Sequence, residues 1–462
     1  MINEIMLKNI KEPEKDLGTY VELSAQTIAE RKQKVLNQMA ESGLDCLVIY
    51  GDVEHGSNFE YLVGFYTRFE EALLIIHKNG EMVLMLGNEN LNKAQKARIQ
   101  AKGIRVSLFS LPNQPNRFDK TFHNLLMEAG MRKGLRTGLV GWKLFTSPIE
   151  KKDTLYDIPY YIVEEIKCIV GDEQISNETG VFIGEDGVRD VNNANEIAHY
   201  EYGAALASDC ILDAMNLIDL GVREYDLGNA LVKDGQHTSV VTIASSGPRF
   251  INGNMYPSQN TVKLGDPISL TVGYRGGSSS RAGYAVHNEK ELPKGSENYI
   301  KDVAIPYFNA YVTWLEEIKI GMSGDDLFQI IENVLPRETY GWSLCPGHLT
   351  AEEEWMSSPI YEASTEKLKS GMIFQIDIIP SVSGYSGCSA ESTVVLADVA
   401  LKKQIETEYP DVWKRMQTRI SYIKNDLGIQ LSEDVLPMCS TVAYLRPFLL
   451  AKDLAFVKTQ VR

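Results

Sequence analysis

Long apolar runs are missing from this sequence of 462 residues. None reaches the roughly 18 residues that a membrane-spanning helix needs. The opening stretch, MINEIMLKNIKEPEKDLG, is too charged for a secretory signal peptide. Clustered cysteines are missing too, because the six cysteines are scattered without a CxxC pair. Such isolated thiols are typical of a reducing compartment. We therefore predict a cytoplasmic protein that has no membrane partner.

Positive charge is scarce. The chain has 46 Lys and Arg residues against 62 Asp and Glu residues, which gives a formal net charge of −16. This balance argues against nucleic acid or an anionic membrane as the main partner. A small-molecule substrate responds instead to the local field of its pocket, so we predict a small-molecule substrate and no nucleic-acid partner.

Two common catalytic signatures are also absent. The run GGSSSR, Gly276 to Arg281, lacks the lysine and the spacing of a phosphate-binding P-loop. There is no GxSxG motif of the kind that presents a serine nucleophile between a strand and a helix. The sequence therefore predicts neither a P-loop nucleotide hydrolase nor a serine hydrolase.

The chain is long enough for two domains. Over residues 1–175, short strands such as EMVLMLG, RVSLFSL and RTGLVGW alternate with helical patterns such as NLNKAQKARIQAKG, which predicts an α/β domain. Residues 176–192 are poor in large apolar side chains and are predicted to be a linker. Residues 193–462 predict an α+β domain, with helices at about 193–218, 296–318, 322–335 and 401–425 and a pair of strands within 370–398.

Three polar residues mark a candidate site in the second domain. His348 follows a Pro-Gly turn, and Asp377 and Glu391 each lie within an apolar β-type run. A carboxylate among Ile, Val and Phe is costly to desolvate unless it is paired, protonated or bound to a cation. Two such acids and a histidine within about fifty residues indicate a polar site built for binding or catalysis. The alternative is a buried structural pair of acids.

The order and spacing of these residues resemble the last three metal ligands of the creatinase, aminopeptidase P and prolidase superfamily. YLVGFYTRFEEALLII resembles part of that family's N-terminal domain, and LGDPISLTVGYRGGSSSRAGY resembles the strand pair that carries its first two aspartates. The resemblance covers nearly the whole chain. It implies a creatinase-like α/β domain followed by an α+β pita-bread catalytic domain, and a homodimer.

The metallopeptidases of this superfamily bind two divalent ions through Asp, Asp, His, Glu and Glu. In this chain Thr271 stands at the place of the first aspartate, and the second falls on the serines 278–280. His348, Asp377 and Glu391 match the other three. Because two ions need several anionic oxygens, the loss of two of the four carboxylates predicts that this chain has no resident cofactor. A single divalent metal on these three residues is left open.

The residue roles follow from the same resemblance. His348 would act as general acid or base, and Asp377 and Glu391 would bind a cationic or amide group. Candidate substrate-binding residues are the hydroxyls of Thr271 and Ser280 and the guanidinium groups of Arg281, Arg249 and Arg68. For Arg68 a surface ion pair with Glu70 or Glu71 is the alternative, and Glu354 is a further substrate-side candidate.

These roles predict a creatinase-like hydrolase that cleaves a C–N bond of a small polar substrate, either without metal or with one ion. Two alternatives are a dinuclear Xaa-Pro aminopeptidase or dipeptidase, and a protein that binds a small molecule without catalysis. A lyase acting on a small zwitterion is also left open. The choice of hydrolysis rests on analogy of fold.

Overall fold

A computed structural model describes residues 2–67, 69–114 and 120–461. The chain forms two compact units. The first unit is Leu23–Asp190, and the second unit joins the residues up to Glu22 to those from Val191 onward. The sequence-based division placed 176–192 between the domains and the first 22 residues in the first domain. In the structure, residues 176–190 lie in the first unit, and the residues before Leu23 lie in the second.

The strands in chain order are β1 (Ile2–Asn9), β2 (Cys46–Gly51), β3 (Ala72–His77), β4 (Met82–Leu86), β5 (Lys102–Arg105), β6 (Thr137–Val140), β7 (Ile175–Asn177), β8 (Ile243–Ser246), β9 (Pro267–Tyr274), β10 (Gly277–Tyr284), β11 (His348–Leu349), β12 (Ile373–Gln375), β13 (Thr393–Leu396), β14 (Val435–Pro437) and β15 (Leu454–Val461).

The helices are α1 (Ala25–Glu41), α2 (Ser57–Val63), α3 (Phe122–Glu128), α4 (Tyr160–Val170), α5 (Gly180–Ile183), α6 (Ala194–Leu217), α7 (Glu224–Leu231), α8 (Pro248–Ile251), α9 (Ile305–Glu317), α10 (Gly324–Val334), α11 (Arg337–Tyr340), α12 (Val399–Glu408) and α13 (Pro410–Asn425). None of those within the described ranges combines the length and apolarity that a bilayer span requires.

The first unit is built on one mixed sheet with strand order β5-β4-β3-β2-β6-β7. β2 runs antiparallel to β3 and parallel to β6. Every residue of β2 is buried, as expected for a strand inside a sheet whose two faces are both covered. The apolar core of this unit combines β2 side chains such as Val48 with α4 side chains such as Ile162 and Ile166. The predicted α/β organisation is confirmed.

The second unit carries three sheets, with orders β10-β9-β8, β11-β12-β13-β14 and β1-β15. Its longest helix, α6, begins with a capping box in which Asn193 and Glu196 each accept from the other's backbone N–H. Leu206 and Ile211 of α6 share an apolar core with Leu270 of β9. Antiparallel sheets with separate helices give the predicted α+β class.

Two glycines make the tight turn between β9 and β10. A side chain at Gly276 (φ +104°) would lie 2.0 Å from the backbone oxygen of Tyr200 in α6. One at Gly277 (φ +154°) would lie 1.9 Å from Oγ1 of Thr393 in β13. Glycine is therefore required here for both conformation and space, and the turn brings the serine run of β10 close to β13.

Two predicted elements of the first unit are wrong. The segment NLNKAQKARIQAKG forms a short 3₁₀ turn over Leu91–Lys96 and then leads into β5, instead of forming one helix. RVSLFSL is not a strand, because β5 ends at Arg105 and a short helical turn covers Ser107–Phe109.

Candidate active site

The site lies where the register of β11, β12 and β13 brings three chain segments together. His348 pairs with Gln375, and Gln375 pairs with Thr393. Continuing the antiparallel register by two residues on each strand sets Asp377 opposite Glu391. Because side chains alternate along strands, these two carboxyls and the side chain of Gln375 share one face. The structure thus brings His348, Asp377 and Glu391 together.

His348 is fully buried and held from both sides. Its Nδ1 lies 3.2 Å from the backbone oxygen of Leu349, which can only accept, so Nδ1 carries a proton. Its ring stacks on Trp355 with ring centroids 4.0 Å apart. The other nitrogen, Nε2, lies 3.2 Å from Oε1 of Glu354 but makes no hydrogen bond of good geometry. Nε2 is therefore the atom available for chemistry.

The charge of His348 is set by its surroundings. Burial alone lowers the pKa of the imidazole, but attraction to Glu354, with smaller contributions from Asp377 and Glu391, raises that pKa to about 9. In the absence of a bound ion, the ring is an imidazolium at neutral pH.

Asp377 is a nearly buried carboxylate without a hydrogen bond. Its residue surface is 6% exposed, and no donor among the described residues bonds to it. Burial raises the pKa of Asp377 to about 6, while the charge of His348 opposes the shift. A buried carboxylate in this state is costly, and a ligand with N–H donors or positive charge would relieve that cost.

Glu391, in contrast, is firmly held at one oxygen. Its Oε1 accepts from Oγ of Ser278 at 2.7 Å and from Nε2 of Gln375 at 2.9 Å. Burial raises the pKa of Glu391 to about 8, and repulsion from Asp377 and Glu354 adds to the shift. Two close carboxyl groups do not ionise together at low cost, so this pair takes up a proton or a positively charged group more readily than a single carboxylate does.

Glu354 is the residue whose importance sequence reasoning understated. Ligand atoms of His348, Glu354 and Glu391 all lie within 4.8 Å of one another. One divalent ion would therefore fit this group, in which Glu354 takes the place that the sequence assigned to Asp377. Thr271 and Ser280, where the resemblance places metal-binding aspartates, supply neutral hydroxyls that bond to each other at 2.8 Å.

The guanidinium of Arg281 donates all its hydrogen bonds to acceptors within the protein. Nε donates to the oxygen of Tyr444, Nη1 to the oxygens of Ser280 and Glu391, and Nη2 to Oγ of Ser392 and the oxygen of Thr441, at 2.6–3.2 Å. A guanidinium has five N–H groups, so none remains for a substrate carboxylate. The predicted substrate contact is therefore replaced by a positioning role, in which Arg281 holds the backbone beside the Glu391 carboxyl.

The other two arginines are placed differently. Nε of Arg249 donates to the buried carboxylate of Glu224 at 2.9 Å, and Nη2 donates to the backbone oxygens of Asn254 and Tyr256. Within the described ranges its Nη1 has no such partner, and its predicted binding of a substrate carboxylate stays a prediction. Arg68 lies outside the described residues.

Three further residues of the site were not predicted individually: Trp355, Ser278 and Gln375. Trp355 follows His348 in an acidic segment that reads as a solvated loop, and Ser278 is one of three consecutive serines. Period-two alternation does place Gln375 on the face of Asp377, which is the one signal that could have identified it.

No protein-family model matches this sequence, and no curated protein matches it. Solved structures do match. A prolidase from Thermococcus sibiricus aligns with 82% of this chain and 95% of its own, with a TM-score of 0.62 and 18% identity. An X-Pro aminopeptidase from Thermotoga maritima aligns with 79% of this chain and 95% of its own, with a TM-score of 0.61 and 17% identity. A dipeptidase from Mycobacterium ulcerans aligns with 81% of this chain and 94% of its own, with a TM-score of 0.61 and 16% identity. At these identities the likeness is one of fold.

Proposed function

We propose that this chain, which has the two-domain pita-bread fold of prolidases and X-Pro aminopeptidases, hydrolyses a C–N bond of a small polar substrate. The observation that carries the proposal is the nearly buried carboxylate of Asp377. None of the described residues donates a hydrogen bond to it, and it faces the same site as His348 and Glu391. The predicted fold class is confirmed, whereas the reaction rests on the chemistry of this site.

Asp377 and Glu391 suit a substrate nitrogen. A guanidinium, amidinium, ammonium or amide group would supply the N–H donors that Asp377 lacks. A charge-assisted hydrogen bond of this kind contributes about 1.5–3 kcal/mol. The second oxygen of Glu391, Oε2, has no donor among the described residues and would accept from the same group.

His348 suits proton transfer at Nε2. Nδ1 and the stacked indole of Trp355 fix the ring, so Nε2 points at a defined place. In hydrolysis, the oxygen of water bonds to carbon, the C–N bond breaks and the leaving nitrogen gains a proton. His348 would give that proton from Nε2, and the proton released by the attacking water would then restore the imidazolium, which Glu354 stabilises before transfer.

A single divalent ion is the second form of this proposal. His348, Glu354 and Glu391 would hold it, and such an ion lowers the pKa of bound water toward neutrality. The X-Pro aminopeptidase and prolidase among the similar structures make Xaa-Pro dipeptides reasonable test substrates. We also propose that the protein is a homodimer, as the resemblance implies, and that it lies in the cytoplasm, as the cysteine pattern predicts.

Substitution of His348 by Asn tests the proposal. Guanidino acids, N-carbamoyl amino acids and Xaa-Pro dipeptides would be offered with chelator and with Mn²⁺. We expect one class to be hydrolysed and His348→Asn to lose about 10²–10⁴-fold in kcat, the range for general acid–base catalysis. The control is His287→Asn, whose exposed ring contacts Glu291 outside the site.

The outcomes separate enzyme from binding protein. Loss of turnover with an unchanged circular dichroism spectrum supports the proposal. If the wild-type protein binds one of these compounds without turnover, and His348→Asn binds it equally well, the chain is a binding protein and the proposal is wrong.

A further inference from the structure

The amide nitrogen of Gln375 lies among three oxygen atoms in the candidate site. It donates to the backbone oxygen of Ser278 at 2.9 Å, to Oγ of Ser278 at 2.7 Å and to Oε1 of Glu391 at 2.9 Å. A backbone oxygen only accepts, so the NH₂ end of the amide must face Ser278. The other end, Oε1, accepts from Oγ1 of Thr393.

These bonds form a closed and fully buried network. Oγ of Ser278 receives from Gln375 and donates to Oε1 of Glu391, so the polar atoms of Ser278 and Gln375 have partners of the right kind. The surfaces of Gln375 and Thr393 are 0% exposed and that of Ser278 is 1% exposed. Satisfied buried networks of this kind are rigid and costly to open.

The hydroxyls of Thr271 and Ser280 bond to each other. Oγ1 of Thr271 and Oγ of Ser280 lie 2.8 Å apart on paired positions of β9 and β10. In the superfamily that this sequence resembles, metal-binding aspartates stand at the position of Thr271 and within the serine run 278–280. Their hydroxyls bring no negative charge, whereas divalent ions prefer several anionic oxygens.

We infer that the amide of Gln375 takes the place of a cation beside Ser278 and Glu391. Its N–H groups satisfy Ser278 and Glu391 as a metal ion otherwise would, so the site holds at most one ion, beside His348 and Glu354. A second ion would have to break three hydrogen bonds of a buried amide and would gain one carboxylate. The inference is independent of the proposed hydrolysis, because its test measures ion binding and stability instead of turnover.

The isosteric change Gln375→Glu provides the test. It would replace an amide donor by a carboxylate oxygen within about 3 Å of Glu391 and of the Ser278 oxygen. Repulsion between these oxygens creates a need for positive charge. We expect Gln375→Glu to melt at a lower temperature than wild type in chelator, and to regain stability with Mn²⁺ or Zn²⁺.

Ion stoichiometry would be measured by elemental mass spectrometry and calorimetric titration with Mn²⁺ and Zn²⁺, after chelator treatment and reloading. We expect at most one ion per chain in wild type and one additional ion in Gln375→Glu. The matched control is Gln404→Glu, an exposed position on α12, which should bind as wild type does.

Two results would overturn the inference. One is a wild-type protein that takes up two ions per chain. The other is a folded Gln375→Glu protein that binds no more ions than wild type and whose melting temperature Mn²⁺ does not raise. If Gln375→Glu fails to fold in either buffer, the wild-type titration decides alone: one ion or none supports the inference, and two overturn it.

Discussion

Asp377 shows at the residue scale how a site can cost stability before it binds anything. Asp377 is 6% exposed, and no donor in the part of the chain that the structure describes bonds to its carboxylate. An unsatisfied buried polar group costs about 1–3 kcal/mol, and more when it is charged. Such a cost is commonly found where function needs a group that packing does not.

Removal of this charge should therefore stabilise the protein. We expect Asp377→Asn to raise the free energy of unfolding by on the order of 1–3 kcal/mol while turnover of any substrate found is lost. Urea denaturation and kinetics would be measured on the same sample. A variant that is both less stable and fully active would show that Asp377 is a structural residue.

Arg281 should behave in the opposite way. Lysine cannot reproduce five bonds made by a planar fork, so we expect Arg281→Lys to lower the free energy of unfolding by on the order of 3 kcal/mol. The KM for carboxylate-bearing substrates should stay within twofold in the folded fraction. The control is Arg223→Lys, whose exposed guanidinium pairs with Asp226 and should change stability little. A large rise in KM with unchanged stability would restore the substrate-binding role.

Sequence alone could identify His348, Asp377 and Glu391 as candidates because charged groups within apolar β-type runs are conspicuous. Local pattern did not resolve the run Glu352 to Glu354, from which only the resemblance selected Glu354 as a substrate-side candidate. In the structure Glu352 accepts from the hydroxyl of Tyr200 at 2.6 Å, while Glu354 faces His348. Three consecutive identical residues in a loop have no period that tells which one turns inward.

Elements were predictable where local signals were strong. α6 spans Ala194–Leu217 against a predicted 193–218 because its capping box fixes its start. NLNKAQKARIQAKG failed as a helix since its polar residues leave too narrow an apolar face to pack. The predicted helix at 401–425 is divided into α12 and α13 at Pro410, because proline has no N–H to continue a helix and suits its first turn.

The hairpin between β9 and β10 offers a prediction about one turn. A side chain at Gly277 would collide with Oγ1 of Thr393, which donates to Gln375. We expect Gly277→Ala to destabilise the fold by more than the cost of a positive φ, which is about 1–2 kcal/mol.

The control for this change is Gly134→Ala. Gly134 has φ +84° and open space around it, so it isolates the conformational cost from the collision. If the two variants lose equal amounts of unfolding free energy, the collision with Thr393 costs nothing and the prediction for Gly277→Ala is wrong.

The segment before Leu23 is bound to α6 through the carboxylate of Asp209, whose ionisation lowers the stability of the fold at high pH. Both oxygens of Asp209 accept backbone N–H groups, from Asp16 and Leu17, at 3.3 Å. Burial, together with the charge of Asp16, nevertheless raises the pKa of Asp209 from 3.8 to about 6. The folded state therefore holds this proton more tightly than the unfolded state.

The sign of the effect follows from linkage. The cost of ionising Asp209 is fully present above about pH 6 and disappears below about pH 4. We expect Asp209→Asn to gain stability relative to wild type as the pH rises from 4 to 8, measured by urea denaturation at each pH. The exposed control Asp172→Asn should show no such trend. A difference between Asp209→Asn and wild type that stays constant with pH would contradict the raised pKa.

At the scale of the whole molecule, one unit is continuous in sequence and the other is not. Composition could suggest two domains, but no local pattern shows that β1 pairs with a strand more than four hundred residues away. Long-range strand pairing depends on tertiary context, which is why the predicted boundary at residue 175 and the division in the structure differ.

The continuous unit should fold alone. We expect a fragment of residues 23–190 to show cooperative thermal unfolding, because it has its own sheet and apolar core. The control is the same fragment with Val48→Asp, a change at a fully buried position of β2, which should abolish the transition. A fragment without cooperative unfolding would show that this unit needs the rest of the chain.

The pairing of β1 with β15 also has a consequence for synthesis on the ribosome. Chains emerge from the amino end, and domains generally fold as they appear. The backbone N–H and C=O groups that β1 uses to pair with β15 stay unpaired while the whole first unit is synthesised and folds. Its partner appears only when β15 leaves the exit tunnel. During this interval β1 is an exposed strand edge that could pair with another nascent chain, so crowded polysomes would be the setting in which this protein is most prone to strand exchange.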